Sequence, residues 1–205
     1  MCKTIGATII GSHLWKMQRR GSDIDIFRIY MEPVPNVLDG TARYKSFQTG
    51  ETVGGKYLET VNHEIKQVVQ QLLSSNVNFV VGVLSPEILD TSDAFDELRT
   101  ITRNYLSKDI YHSIYNMAYN LYYENVFGKK KPPEKMLNTI LRMLRFGIKV
   151  LSLDKVEFNA VYGGVSAIKK SLKEITKAYE ESSLPDKVPE KPFRNWLFDS
   201  RMNGW

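Results

Sequence analysis

In the run GSHLWKMQRRGSDIDIFRIY, a Gly11-Ser12 pair is followed ten residues on by Ser22-Asp23-Ile24-Asp25. On a strand, side chains at i and i+2 share a face, so Asp23 and Asp25 point together. Two carboxylates that close repel one another, and a cation between them relieves the repulsion. Mg²⁺ takes a few carboxylates plus substrate phosphate oxygens, and Mn²⁺ can stand in its place. Two such metals, about 3.5–4 Å apart, can stabilise an in-line displacement at phosphorus. Gly11 lets the backbone come close to a phosphate. The Ser12 hydroxyl and the amides after it can donate to phosphate oxygens, helped by a helix start near His13. Ser22 joins Gly11 and Ser12 as a nucleotide-binding candidate. A third carboxylate on a neighbouring strand would complete a two-metal site. Glu59 is the first choice and Glu64 the second.

These residues need a strand, a turn and a second strand. Residues 4–10 are a short apolar run ended by Gly11, and His13 to Arg20 suit a short basic helix. Residues 23–31 alternate, with Asp23, Asp25 and Phe27 on one face and Ile24, Ile26 and Arg28 on the other. Pro33 and Pro35 end that strand. Residues 43–48 and 56–60 suit two more strands, with Gly50, Gly54 and Gly55 between them. From residue 61 the period changes: Val61, Ile65, Val68 and Leu72 share a helical face. Residues 77–84 fit strand or helix equally. Ser92 or Asp93 caps a helix to about Tyr105, and Ser107 caps another to about Phe127. Further helices are expected over 133–151 and 166–182. The rest, with Pro185, Pro189 and Pro192, reads as an extended aromatic tail that docks on the body or on a partner. Strands first and helices after give an α+β chain: a small mixed sheet flanked by helices, with a helical C-terminal half. The division expected is a core over 1–105 and a helical region over 106–205.

The chain has 205 residues, a net charge of +5 and one cysteine. That charge suits phosphate-bearing partners without requiring them. A lone Cys2 forms no disulfide within the chain, which fits a reducing cytoplasm. No apolar run approaches the ~20 residues that span a bilayer, so no membrane association is expected. Oligomeric state is not legible.

The pattern G-S, about ten residues, then S-D-x-D resembles the DNA polymerase beta superfamily of nucleotidyltransferases. Later segments resemble its branch associated with RNA repair: LETVNHEIKQ with Glu59, SNVNFVVGVLSP at 75–86, YHSIYNMA at 111–118, and Lys135 followed seven residues later by Arg142. The likeness covers roughly residues 5–150. It implies a metal-dependent transfer of a nucleoside monophosphate from a nucleoside triphosphate, ATP among them, to an acceptor, an RNA end being one candidate. It also implies Lys135 and Arg142 as nucleotide-binding residues. The chain departs from the branch at Val81 and Gly82, where glutamate and tryptophan are usual, at Glu59, usually aspartate, and at His63, usually tryptophan or tyrosine.

Other features have ordinary readings beside the functional ones. Lys135, Arg142 and Lys149 lie within about 40° on one helix surface, either a solvated face or a cationic wall. Tyr111, Tyr115, Tyr119 and Tyr122 make a stripe that is more often core than a base-stacking platform. Lys16, Arg19, Arg20 and Lys129 to Lys131 suit either phosphate contact or solvent. Three functions follow: a nucleotidyltransferase, a non-catalytic nucleotide or nucleic-acid binding module of the same fold, or an interaction protein.

Overall fold

The apolar N-terminal run forms strand β1 (Lys3–Ile9), which turns through a short helix, α1 (Gly11–Leu14), towards β2 (Ile24–Met31). The structure is a computed structural model and describes residues 2–203. The chain continues through α2 (Val34–Leu38), β3 (Phe47–Val53), β4 (Lys56–Glu64), α3 (Ile65–Leu73), α4 (Val77–Leu84), β5 (Ile88–Asp90) and α5 (Asp93–Asn104). Helices α6 (Ile110–Asn125), α7 (Glu134–Leu153), α8 (Val165–Glu181) and α9 (Glu190–Asn203) follow. The five strands form one sheet in the order β3-β4-β2-β1-β5. Strands β2 and β4 run parallel and the other pairs antiparallel. The mixed sheet flanked by helices is the α+β arrangement expected.

Two units are distinguishable: residues 1–105 with 188–205, and residues 106–187. In the first, helices press on the sheet face that carries Phe27. A Cβ on Gly82 of α4 would stand 2.6 Å from the Phe27 ring, and one on Gly6 would stand 2.4 Å from Phe95 of α5. Gly82 therefore sits where the chain has no room for a side chain, and its carbonyl accepts from the Thr8 hydroxyl at 2.7 Å. Arg99 of α5 donates to the carbonyls of Val83 and Ser85 at 2.6 and 2.8 Å. That satisfies acceptors which the end of α4 leaves without helical partners. In the second unit, Gly147 of α7 is the close-packing point. A Cβ there would meet Ile114 of α6 and Ile175 of α8 at 2.7 and 2.8 Å.

Several expectations are corrected. Strand β4 runs on to Glu64 instead of giving way to helix at 61. Its Val61 to Glu64 pair in register with Phe27 to Tyr30 of β2, and that ladder outweighs the helical spacing of Val61. The helix begins only at Ile65, where the Glu64 side chain accepts from the Lys66 amide at 2.7 Å. The basic helix after Gly11 is a single turn ending at Leu14, and Lys16 takes a left-handed φ of 54°. Strand β3 lies later than expected, paired to β4 from Phe47↔Asn62 to Val53↔Lys56. Residues 77–84 are helix, capped by the Asn76 side chain on the Asn78 amide at 3.0 Å. Ser92 caps α5 as expected, accepting from the Phe95 amide. The tail is helical, not extended. Pro192 falls in the first turn of α9, where a missing N–H removes no helical bond. Phe193 and Trp196 bury fully, and the Trp196 indole donates to the Ala94 carbonyl at 2.8 Å. Gly204 and Trp205, at the end of the expected docking tail, lie outside the described residues. Among the described residues, no helix is long and apolar enough to cross a membrane.

Candidate active site

The turn between β1 and β2 is built against Asp25. The Ile10 amide donates to the Asp25 carbonyl at 2.8 Å, closing the turn onto β2. Gly11 follows with φ of +62°, and a Cβ on it would stand 1.7 Å from an Asp25 carboxylate oxygen. Only glycine tolerates both the left-handed backbone and that approach. The Gly-Ser pair and the second aspartate, fourteen positions apart in the chain, are therefore one local structure.

The loop that returns to β2 is held by its own polar groups. The Met17 amide donates to the Ser12 carbonyl at 2.9 Å, and the Ser22 amide to the Arg19 carbonyl at 3.0 Å. The Ser22 hydroxyl accepts from the Arg19 amide at 2.8 Å, and His13 Nε2 reaches the Ser22 carbonyl at 3.5 Å. Ser22, a nucleotide-binding candidate by sequence, thus also organises the loop that delivers Asp23. Asp23 is exposed and lies immediately before β2, and Asp25 is half-buried on it.

Across the sheet, Asp25 and Glu59 are register partners on the parallel pair β2 and β4. Directly opposed residues on paired strands share a face and stand close. Glu59 is half-buried. Among the described residues, the carboxylates of Asp23 and Glu59 make no hydrogen bond or ion pair. Below them the same face becomes core: Phe27, His63 and Phe79 pack ring to ring at 4.5–5.6 Å. Burial drives the His63 imidazole down to a pKa of about 4, so it stays neutral. Its Nδ1 pairs with the Ser46 hydroxyl at 2.7 Å.

Glu64 is engaged elsewhere. It is wholly buried, caps α3 through the Lys66 amide, and forms an ion pair with Arg201 of α9. Arg201 also donates to the Glu32 carbonyl at 3.0 Å. Sequence reasoning gave Arg201 no role, and only its place in the last turn of a Phe193/Trp196/Ser200 helical stripe could have suggested one.

Among the described residues, no three acidic, histidine or cysteine side chains are drawn together as a metal cage. Mg²⁺ does not require such a cage, because one or two carboxylates plus substrate phosphates and water complete its octahedron. A pair of adjacent carboxylates, one of them packed against the Gly11 turn, is compatible with that pattern.

Lys135 and Arg142 lie in the second unit on α7, the first exposed and the second half-buried. Lys149, the third member of that row, is ion-paired to Glu157. The tyrosine stripe is not core. The buried positions of α6 are Ile110, Ile114 and Ala118. The tyrosines instead form a half-exposed ladder, with Tyr111 stacked on Tyr179 at 4.5 Å and Tyr119 tilted against Tyr123 at 4.3 Å.

Residues 2–177 match the family described as RNA repair pathway DNA polymerase beta family. Comparison with curated proteins gives no match. Among solved structures, a nucleotidyltransferase-like protein from Exiguobacterium sibiricum is 13% identical, with a TM-score of 0.37 over 96% of this chain and 67% of that one. A spectinomycin adenyltransferase from Enterococcus faecialis, solved with ATP and spectinomycin, is 14% identical. It has a TM-score of 0.40 over 98% of this chain and 92% of that one.

Proposed function

The chain belongs to the RNA repair pathway DNA polymerase beta family, a nucleotidyltransferase family, and from that premise we propose a specific reaction and site. A nucleoside triphosphate, ATP among the candidates, donates its nucleoside monophosphate to an acceptor hydroxyl, an RNA end by the family's association. The new bond joins the acceptor oxygen to the α-phosphorus. The bond from the α-phosphorus to the bridging oxygen breaks, and pyrophosphate leaves with that electron pair.

Asp23, Asp25 and Glu59 would hold Mg²⁺, or Mn²⁺ in its place. When bound, the metal supplies charge neutralisation on the phosphates. One of these carboxylates, or water, takes the acceptor proton. Gly11 lets the turn close against the Asp25 carboxylate, and the Gly11-Ser12 backbone with Ser12 and Ser22 would hold the phosphates. Lys135 and Arg142 supply positive charge for the triphosphate or a polynucleotide. Positioning and electrostatics supply most of the rate. In this reading residues 1–105 carry the nucleotidyltransferase core, and the region from 106 is helical and carries Lys135 and Arg142. The reaction suits a cytoplasmic protein that has nucleotides and reduced thiols at hand.

The observation that carries this reading is the pairing of Asp25 with Glu59 across β2 and β4, with Gly11 pressed against Asp25. The test is transfer of label from NTPs to pooled RNA, DNA and protein acceptors with Mg²⁺ or Mn²⁺. Loss of transfer in Asp23→Ala and in Asp25→Ala is expected. Mutants that transfer as well as wild type would show that the site lies elsewhere. Metal-dependent NTP binding without transfer to any acceptor would instead identify a binding module of the same fold.

A further inference from the structure

The sheet face opposite Asp25 and Glu59 is polar along β2. Along β2, Arg28 and Tyr30 project opposite to Asp25, Phe27 and Ile29. Their neighbours on this side are polar. Register partners place Asn62 of β4 beside Arg28, Thr49 of β3 beside Thr60, and Thr4 of β1 beside Tyr30. Asn62 is fixed in place, its amide donating to the Phe47 carbonyl at 3.3 Å and to the Thr49 hydroxyl at 3.2 Å.

Two hollows meet at Arg28. The smaller, of about 230 Å³, is lined by Arg28, Thr49, Gly50, Glu51 and Thr60. The larger, of about 450 Å³, includes Arg28, Tyr30, Arg43, Phe47 and Asn62. Arg28 is half-buried. Among the described residues, its guanidinium makes no hydrogen bond, ion pair or ring contact, and neither does the Thr60 hydroxyl, although Thr60 is 5% exposed. A partly desolvated guanidinium without an anion is an unfavourable arrangement on its own. Its planar fork of donors matches a phosphate bidentately.

The acidic groups around the hollows limit the ligand's size. The Glu32 carboxylate is occupied by the Asn36 amide at 3.0 Å and by the Arg43 backbone amide at 3.4 Å. Glu51 is exposed at the outer end. Glu51 lines the smaller hollow and Glu32 the larger, so a polyanion laid along the whole face would meet both carboxylates, whereas a compact ligand with one phosphate keeps its charge at Arg28, where the two hollows meet. Tyr30 and Phe47, edge to face at 5.6 Å, give the larger hollow an aromatic wall. Its size falls within the usual range for small-molecule pockets.

We propose that this face is a second binding site, for a mononucleotide-sized phosphate ester, on the opposite side of the sheet from Asp25 and Glu59. The phosphate lies on Arg28 and the Thr60 hydroxyl, and the organic part lies against Tyr30 and Phe47. The assignment stands independently of the transfer reaction.

Calorimetry tests it, with the full chain in EDTA and the probes AMP, ribose 5-phosphate and inorganic phosphate. AMP binding is expected, weakened about tenfold or more by Arg28→Gln and about threefold by Thr60→Val. Circular dichroism melting shows whether each variant folds. If Arg28→Gln does not fold, the isosteric Thr60→Val decides. AMP affinity unchanged in Arg28→Gln, or in Thr60→Val when that variant decides, overturns the site, as does the failure of wild type to bind any of the three at millimolar concentration. Ribose 5-phosphate bound as tightly as AMP overturns the placing of the organic part against Tyr30 and Phe47.

Discussion

Glu59 and Glu64 lie on one strand, β4, and end in opposite conditions. Glu59 is half-exposed beside Asp25, with no protein partner for its carboxylate among the described residues. Glu64 is wholly buried, and both of its oxygens are engaged, by the Lys66 amide and by Arg201. A buried charge must be satisfied within the protein, because leaving it unpaired costs several kcal/mol. An exposed carboxylate carries no such demand, because water solvates it. Pairing therefore marks Glu64 as a structural acid and leaves Glu59 available for the proposed role, a distinction that sequence spacing does not make.

The comparison breaks if the two residues fail to divide stability from activity. Glu64→Gln removes one partner of a buried pair, which typically costs about 3–5 kcal/mol. Urea unfolding should show that loss, and a doubly substituted Glu64→Gln/Arg201→Met chain should lose less than the two single changes summed. Glu59→Gln should leave the urea midpoint near wild type but lower the transfer rate about a thousandfold, about 4 kcal/mol in the barrier. His63, between them on the strand, sharpens the boundary of the core. Its folded pKa of about 4 lies below the ordinary 6.5 because burial disfavours the imidazolium. The unfolded chain binds the extra proton in that window, so stability is full above about pH 6.5 and falls as pH drops towards 4. The loss should be about 2 kcal/mol by pH 5, read from urea midpoints at both pH values and flattened by His63→Gln. Gly11→Ala should cost about 1–2 kcal/mol through its left-handed φ and displace Asp25. A variant of wild-type stability and rate would mean the turn does not hold that carboxylate.

Much of this was legible because the signals are local. The alternation of residues 23–31, the glycine at the end of β1, the Ser92 cap and the long amphipathic stripes each depend on neighbours within a few positions. The choice between Glu59 and Glu64 was not legible. Val61, Ile65, Val68 and Leu72 fit a helix, and only the ladders with β2 and β3 show that the strand continues past Val61. The partner of Glu64 lies 137 residues away at Arg201, a distance over which no periodicity carries information. The tyrosine stripe misled for a related reason: i, i+4 spacing gathers aromatic rings on one face without saying whether another element covers that face. Arg28 was read only as one residue of an alternating strand, because its significance lies in the polar neighbours that three other strands bring beside it.

Helix α9 packs against α3 and α5, so the unit built on the sheet is closed by a helix that follows all of the second unit in the chain. During synthesis the sheet, Asp25 and Glu59 can be in place long before Trp196 and Arg201 emerge. Until then Glu64 is a charge without its counterion, and the groove that receives Trp196 is open to other apolar chains. The order of translation thus gives this protein an interval of vulnerability that ends only when α9 docks. A chain stalled or cut ahead of α9 would hold the chemistry of the site on a core that cannot close.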